Sequence, residues 1–406
     1  MRDEYTIPPL RDLPGDRLAE RKDHLVAELA PQPARRLLPP RVVVVLAAGL
    51  VIVVVATATA FGTVRNLLSS PRVNSKIAYI HNPSANLGRR DPRGARGELW
   101  VMNADGSGRT RLSRIAYLPS GDDSPSWSPD ATRIAFNGDG IYVVNVDGSG
   151  QRRLARGAGG PRWSPDGRKI MFTCLKCGEG WEVYVMNADG SGQRNLTGDA
   201  RVEVFPAWSP DGRKIAFTRL DAASRPEVVV MNADGSGKRS LADGERPVWS
   251  PDGRKIAFTK GRADALDEGE SNPVRFKRGR RHFELHEIYV MNADGSEQRR
   301  LTRNELPDGF PQWSPDGRKI VFSRGGYWKA DLYLMNADGS GQRRLAHPAG
   351  GSGGHAWSPD GRLIAFTRGR GFEVSVVNAD GSGLRDLTHS RTGNFFGSWS
   401  PGRTGG

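Results

Sequence analysis

The chain has 406 residues, with 59 Lys and Arg against 45 Asp and Glu, a formal net charge of +14. Residues 1–41 hold eight basic and seven acidic residues, so +13 of that charge belongs to the remainder, a field that favours anionic partners but carries no information about fold. Its two cysteines, Cys174 and Cys177, exclude a four-cysteine zinc site, and Gly178 stands where a haem-attachment motif needs His.

In chain order, the tail 1–41 comes first. Asp16 offers an N-cap for a short helix from Arg17 to Ala30, stopped by Pro31, with Leu18, Leu25, Val26 and Leu29 as a partial apolar stripe. The segment is read as a cytoplasmic tail, either this short helix or a disordered leader. Residues 42–64 follow without a charge, long enough to span a ~30 Å hydrocarbon core as a helix. Ala56-Thr57-Ala58-Thr59-Ala60 offers a signal-peptide cleavage pattern as the competing reading. The apolar run exceeds the usual ~7–15-residue core of a signal peptide, however, and the leader before it is long. Arg35, Arg36 and Arg41 lie on one side and Arg65 and Arg72 on the other. The positive-inside rule therefore predicts a single-pass cell-membrane protein with a cytoplasmic N-terminus and everything after the 65–74 linker outside.

From residue 75 to 402 two signals alternate. Trp-Ser-Pro begins at Trp127, Trp163, Trp208, Trp249, Trp313, Trp357 and Trp399, and Asn-x-Asp-Gly-Ser at Asn103, Asn145, Asn187, Asn232, Asn292, Asn336 and Asn378. Their spacing, mostly 41–45 residues, is that of a propeller blade. One unit reads as four strands. Pro206-Ala207-Trp208 precedes a Ser-Pro-Asp-Gly turn, and Lys214 to Thr218 alternates with Ile215 and Phe217 on one face. Glu227 to Met231 is a buried apolar run, and after Asn232-Ala233-Asp234-Gly235 comes a polar outer strand, Lys238 to Leu241. The series opens on an unmatched hairpin signal and closes on an unmatched Trp-Ser-Pro. The two halves complete one unit only if the chain ends meet: an all-β, seven-bladed propeller closed by pairing of the strand at Trp399 with Lys76–Ile80. Residues 403–406 are a short tail.

The recurring Trp-Ser-Pro-Asp-Gly-Arg-Lys-Ile-Ala-Phe and Tyr-Val-Met-Asn-Ala-Asp-Gly-Ser resemble the WD-repeat-like repeat of TolB-type β-propellers over residues 75–402. The resemblance implies a propeller that binds other proteins, in TolB itself beside the Tol-Pal envelope system. This chain departs from TolB in counting seven blades rather than six and in lacking the preceding α/β domain.

Near-identical turns occupy one face, and the variable loops share the other, where a rigid scaffold presents function. Residues 260–287 form the longest loop, with Arg275, Lys277, Arg278, Arg280, Arg281, His282 and His286. Aromatic residues punctuate the same face: Trp181, Phe205, Phe310, Tyr327, Trp328, Phe395 and Phe396. The expectation is a non-catalytic binding module for a protein or an anionic envelope polymer, without nucleic acid. A propeller enzyme acting at the channel mouth and a transmembrane signalling protein using the tail are the competing readings. His81, His282, His286, His347, His355 and His389 are placed in the variable loops, and a helical His282-x-x-x-His286 pair would offer two metal ligands on one face. The oxygen-rich Asn-x-Asp-Gly-Ser turns open like a calcium loop but lack its closing Glu, and no metal or cofactor is assigned. Outside the cytoplasm Cys174 and Cys177 are expected to form a local disulfide.

Overall fold

The computed structural model describes residues 42–47, 50–55, 75–83, 96–117, 124–174, 180–199, 201–221, 225–261, 286–325, 330–347, 354–369, 372–390 and 392–402. The chain divides into two compact units, Met1–Ser70 and Pro71–Gly406. In the first, Val42–Ala47 pairs antiparallel with Leu50–Val55, in register from Val42 opposite Val55 to Ala47 opposite Leu50. These twelve residues are extended, and the helix expected over 42–64 is not shown by them; residues 48–49 and 56–64 lie outside the described residues. Among the described residues no helix is long and apolar enough to cross a membrane.

The second unit is all β. Seven four-stranded antiparallel sheets follow one another as blades, each ordered from an inner to an outer strand. Blade 1 combines Asn394–Trp399 with Lys76–His81, Arg96–Asn103 and Thr110–Tyr117, and Ile77 lies opposite Trp399. Blade 2 runs Ser126–Trp127, Arg133–Asn137, Gly140–Asn145 and Arg152–Arg156, and blade 3 runs Ala158–Trp163, Lys169–Cys174, Glu182–Asn187 and Arg194–Asn195. Blade 4 is Glu203–Trp208, Lys214–Leu220, Pro226–Asn232 and Arg239–Asp243; blade 5 is Glu245–Trp249, Lys255–Gly261, His286–Asn292 and Arg299–Arg300. Blade 6 comprises Asp308–Trp313, Lys319–Arg324, Asp331–Asn336 and Arg343–Ala346. Blade 7 comprises His355–Trp357, Leu363–Arg368, Glu373–Asn378 and Arg385–Asp386.

The core lies between blades. Ala135, Ile141 and Val143 of blade 2 pack on Trp163, Ile170 and Phe172 of blade 3, and the other junctions repeat this pattern. The alternating Lys-Ile-Ala-Phe register buries one phenylalanine per second strand in blades 2–7: Phe136, Phe172, Phe217, Phe258, Phe322 and Phe366. The repeated tryptophans link neighbours as well as filling space. Each of six Trp Nε1 groups donates to the carbonyl just before the preceding blade's Trp, from Trp127 to Ser398 round to Trp399 with Ala356, at 3.0–3.4 Å. A hydrogen bond contributes about 1 kcal/mol net, so the belt adds direction to a fit that burial already drives.

The turns account for their own sequence. In Ser-Pro-Asp-Gly, Ser209 Oγ donates to Asp211 Oδ1 (2.6 Å) and accepts from the Lys214 backbone (2.9 Å), and Gly212 takes φ +69°. In Asn-x-Asp-Gly-Ser, Asn232 Nδ2 donates to Ser236 Oγ (2.9 Å) and Ser236 Oγ to Asp234 Oδ1 (2.6 Å). The Ser236 hydroxyl and backbone N–H hold Asp234 below the usual carboxylate range. The Asn and Asp side chains thus serve the turn itself, and hairpin chemistry accounts for them.

A second lacing starts at the outer strand. Gln193 reaches back to Leu154 O at 2.9 Å, Gln298 to Leu241 O and Gln342 to Leu301 O. The next residue reaches forward: Arg152 to Asp189 O, Arg194 to Asp234 O, Arg239 to Asp294 O and Arg343 to Asp380 O. Part of the positive charge read from composition is therefore committed to joining blades on the turn face.

Candidate binding face

Connections between second and third strands, and between blades, share the face opposite the turns. Its loops start from acids that recur five residues before each hairpin Asn: Glu98, Glu182, Glu227, Glu287, Asp331 and Glu373, with Gly140 in blade 2. Glu287 is fully buried and accepts from Arg300 Nη2 (2.8 Å), Thr302 Oγ1 (2.5 Å) and the Asn304 backbone (3.1 Å). Glu227 accepts from Arg219 Nε (2.7 Å) and Ser240 Oγ (2.5 Å), and Glu98 from Arg111 (3.0 Å). Glu98 and Glu227 thus tie the third strand to the outer strand, Glu227 also to the second strand, and Glu287 ties it to the chain that leaves the outer strand. Sequence reading missed them, although their fixed distance from Asn was visible.

The inner strands line the axis of a propeller, and near this face several carry a bulge three residues before Trp. The bulge residue is left-handed: Gly160 (φ +63°) in blade 3, Phe205 (+56°) in blade 4, Arg246 (+57°) in blade 5 and Phe310 (+56°) in blade 6. Gly adopts this conformation at no steric cost, whereas other residues hold such strained backbone at about 1–3 kcal/mol. Three successive blades nevertheless carry large side chains there, and the three meet. The Arg246 guanidinium lies 3.8 Å from the Phe205 ring centroid and 4.3 Å from that of Phe310. Its Nε is 3.7 Å from Glu245 Oε1, and its side chain is 18% exposed. Thr218 Oγ1 of blade 4 accepts the Arg246 backbone N–H at 2.9 Å, which fixes the bulge across the junction. The result is a Phe-Arg-Phe wall on one side of the channel mouth, with Gly160 and Gly354 at the matching positions of blades 3 and 7. A guanidinium between two aromatic faces is attracted to both, and its planar fork matches a carboxylate or phosphate.

The residues predicted for this face fare differently. Phe310 belongs to the wall, and Trp181 is exposed at the end of blade 3's loop. Phe396 is buried core rather than face, and Phe395 packs tilted against Phe372 at 5.0 Å between centroids. Arg275, Lys277, Arg278, Arg280, Arg281, His282, Tyr327 and Trp328 lie outside the described residues, as does Cys177. His286 starts a strand, its backbone paired with Gly261, and so is not in the helix that the His282/His286 reading needs. His355 is not a loop residue: it lies buried in the inner strand of blade 7, with Nε2 2.9 Å from Phe310 O, and burial lowers its pKa to about 4. Cys174 is buried and disulfide-bonded. Among the described residues no group of three or more His, Cys, Asp and Glu is placed to hold a metal ion.

Comparison with known proteins bears on this geometry. A family model described as TolB beta propeller domain matches residues 141–272 and 280–404. No curated protein matches the chain. Among solved structures, a puromycin-hydrolyzing peptidase of Mycobacterium tuberculosis is similar at 14% identity and a TM-score of 0.56, covering 78% of this chain and 53% of that one. The β-propeller domain of the Trilobed protease from Pyrococcus furiosus is similar at 15% identity and a TM-score of 0.51, covering 77% and 92%. A putative TolB from Agrobacterium tumefaciens is 20% identical, with a TM-score of 0.47 and coverage of 72% and 96%. At these identities the likeness is one of fold.

Proposed function

The chain belongs to the TolB beta propeller domain family, and from that premise we propose that it is a membrane-anchored, non-catalytic binding module that holds an anionic partner at the variable face. The observation that carries this reading is the Phe205-Arg246-Phe310 wall. Three strained, non-glycine bulges on consecutive blades place arginine and aromatic side chains, the types enriched at interface hot spots, at one mouth of a rigid ring. The cluster Arg275, Lys277, Arg278, Arg280 and Arg281 in the longest loop supplies the wider attraction, and the partner is a protein or an envelope polymer rather than nucleic acid. Shared blade 1 keeps the ring closed and the wall in place.

A photo-crosslinking side chain at Phe310 tests the reading against one at Arg213 on the turn face, each introduced singly into the full chain in intact cells. A discrete adduct at 310 that is absent at 213 supports it; adducts at 213 alone, or equal labelling at both, contradict it.

The anchor in this proposal is the uncharged segment 42–64. A two-stranded hairpin leaves both outer edges unpaired, which hydrocarbon penalises by several kcal/mol per unsatisfied group, so within a bilayer the same residues would take the helix. The oxidised Cys174 suits an extracytoplasmic propeller. The expected outcome is retention in the membrane pellet after carbonate extraction, with the N-terminus intact. A soluble form beginning near Thr59 or Phe61 would show cleavage instead.

A further inference from the structure

Blade 3 is bounded by two incompletely satisfied junctions. Among the described residues, the buried side-chain nitrogen and oxygen atoms without a hydrogen-bond partner are Trp163 Nε1 and both carboxyl oxygens of Glu203. Trp163 faces blade 2, where the Arg133 guanidinium lies 4.7 Å over its ring but offers its Nε1 no acceptor. Glu203 opens the inner strand of blade 4, where its backbone N–H donates to Trp181 O of blade 3 at 2.6 Å, and its side chain is fully buried.

Equivalent positions solve the same problem in other ways. In blade 6, Asp308 accepts from Arg324 at 2.7 and 2.9 Å and from Asn304 at 2.7 Å. In blade 1 the residue is Asn394, uncharged, which bonds Glu373 at 3.1 Å and His81 at 2.9 Å. Glu203 keeps an acid without either solution. Arg219, directly opposite in the sheet register, is held by Glu227 at 2.7 Å.

The charged groups on the elements packed around Glu203 do not compensate it. Blade 3 contributes Glu182 from its third strand, with Lys169 and Arg162 at the far ends of its second and first strands. The connection into blade 4 contributes Asp199 and Arg201, and Arg201 lies 3.9 Å from Glu227. Blade 5 contributes Glu245 and Arg246, paired on their own strand. Asp199 and Glu182, both acidic, act on Glu203 electrostatically, and the Asp199 carboxyl and the Thr197 hydroxyl also lie within its reach. A buried carboxylate with acidic neighbours and no cation is disfavoured as an ion.

We infer that Glu203 is a proton-binding site, closing the junction of blades 3 and 4 while its carboxyl is neutral and loosening it when the proton is released to solvent. Burial is the main cause that pushes Glu203 up to about 8; the Thr197 hydroxyl pulls the other way, and Asp199 and Glu182 add to the rise. The folded state thus holds a proton that the unfolded chain, near 4.5, has already lost. Stability from this group is complete below about 4.5, declines as pH rises from there to about 8, and is flat above it. Glu203 lies two residues before Phe205, so loosening of its strand reaches the wall at the channel mouth. The inference itself rests on the fold and not on what the mouth binds.

The decisive comparison is thermal unfolding of the full chain and of Glu203→Gln from pH 5 to 9.5. The amide keeps the shape and cannot ionise. The unfolding midpoint of the wild type should fall relative to the variant between pH 5 and 8, and the difference should level off above 8. Parallel curves across the range would overturn the inference. Hydrogen exchange provides a readout that needs no variant. Protection of residues 196–208 should fall between pH 6 and 9, after correction for the intrinsic rate, relative to residues 303–313, where Asp308 is paired with Arg324. Equal behaviour of the two segments would also overturn it.

Discussion

Deleting residues 394–406 will destabilise the propeller more than any single substitution. The deletion removes the inner strand of blade 1 and leaves Lys76–His81 as an unpaired edge. Contacts to both neighbours go with it: Trp399 Nε1 to Ala356 O, Trp127 Nε1 to Ser398 O, and Ser398 Oγ to Pro125 O at 2.5 Å. Phe396 and Trp399 also leave a core cluster that joins blade 1 to blade 7. An exposed edge with its apolar face uncovered is a template for pairing with other chains, so the truncated protein should melt far lower and aggregate as concentration rises. Coincident melting curves for full-length and truncated chains would mean that the shared blade does not hold the ring.

Trp249→Ala is the second large effect. Trp249 is buried between Ala216, Val228 and Val230 of blade 4 and Ile256 and Phe258 of its own blade, and its Nε1 donates to Ala207 O at 3.2 Å. Large-to-small changes of this kind typically cost ~3–5 kcal/mol, a large share of the roughly 5–15 kcal/mol that keeps a domain folded. Trp181→Ala, at an exposed loop end, should stay within about 0.5 kcal/mol of wild type. Denaturant unfolding of both variants checks the contrast, and equal losses would show that core and face are misassigned.

The fold was legible in the sequence because each blade repeats its turns. A turn needs particular residues at fixed offsets, such as the Gly212 that takes positive φ and the Ser209 that bonds both Asp211 and Lys214. The partners of other residues come from a neighbouring blade, and no local pattern announces them. Gln193 and Arg194 read as a polar outer strand, yet they reach Leu154 in one direction and Asp234 in the other. Phe205, Arg246 and Phe310 are 41 and 64 residues apart, and only the bulges on three inner strands bring them together. Glu203 resembles any strand-edge acid until its burial and its missing partner are seen. The Val-rich stretch after Arg41 shows a different limit. A continuous apolar run carries no period that separates strand from helix, and Val42–Ala47 is a strand.

The proposed binding function resides in the wall at the variable face, with the turn face serving the ring. It is tested most directly by measuring, in one cell-envelope extract, how much of the species crosslinked at position 310 is retained by three immobilised proteins: wild type, Arg246→Glu, and the double reversal Arg213→Glu/Lys214→Glu. All three should fold alike by circular dichroism. Arg246→Glu should lose most of the retained material and the double reversal little. Wild-type retention should also weaken as salt rises, since exposed charges are screened beyond about 8–10 Å at physiological ionic strength. Equal loss from both variants would reduce the attraction to the field of the whole molecule, and full retention by Arg246→Glu would contradict the account.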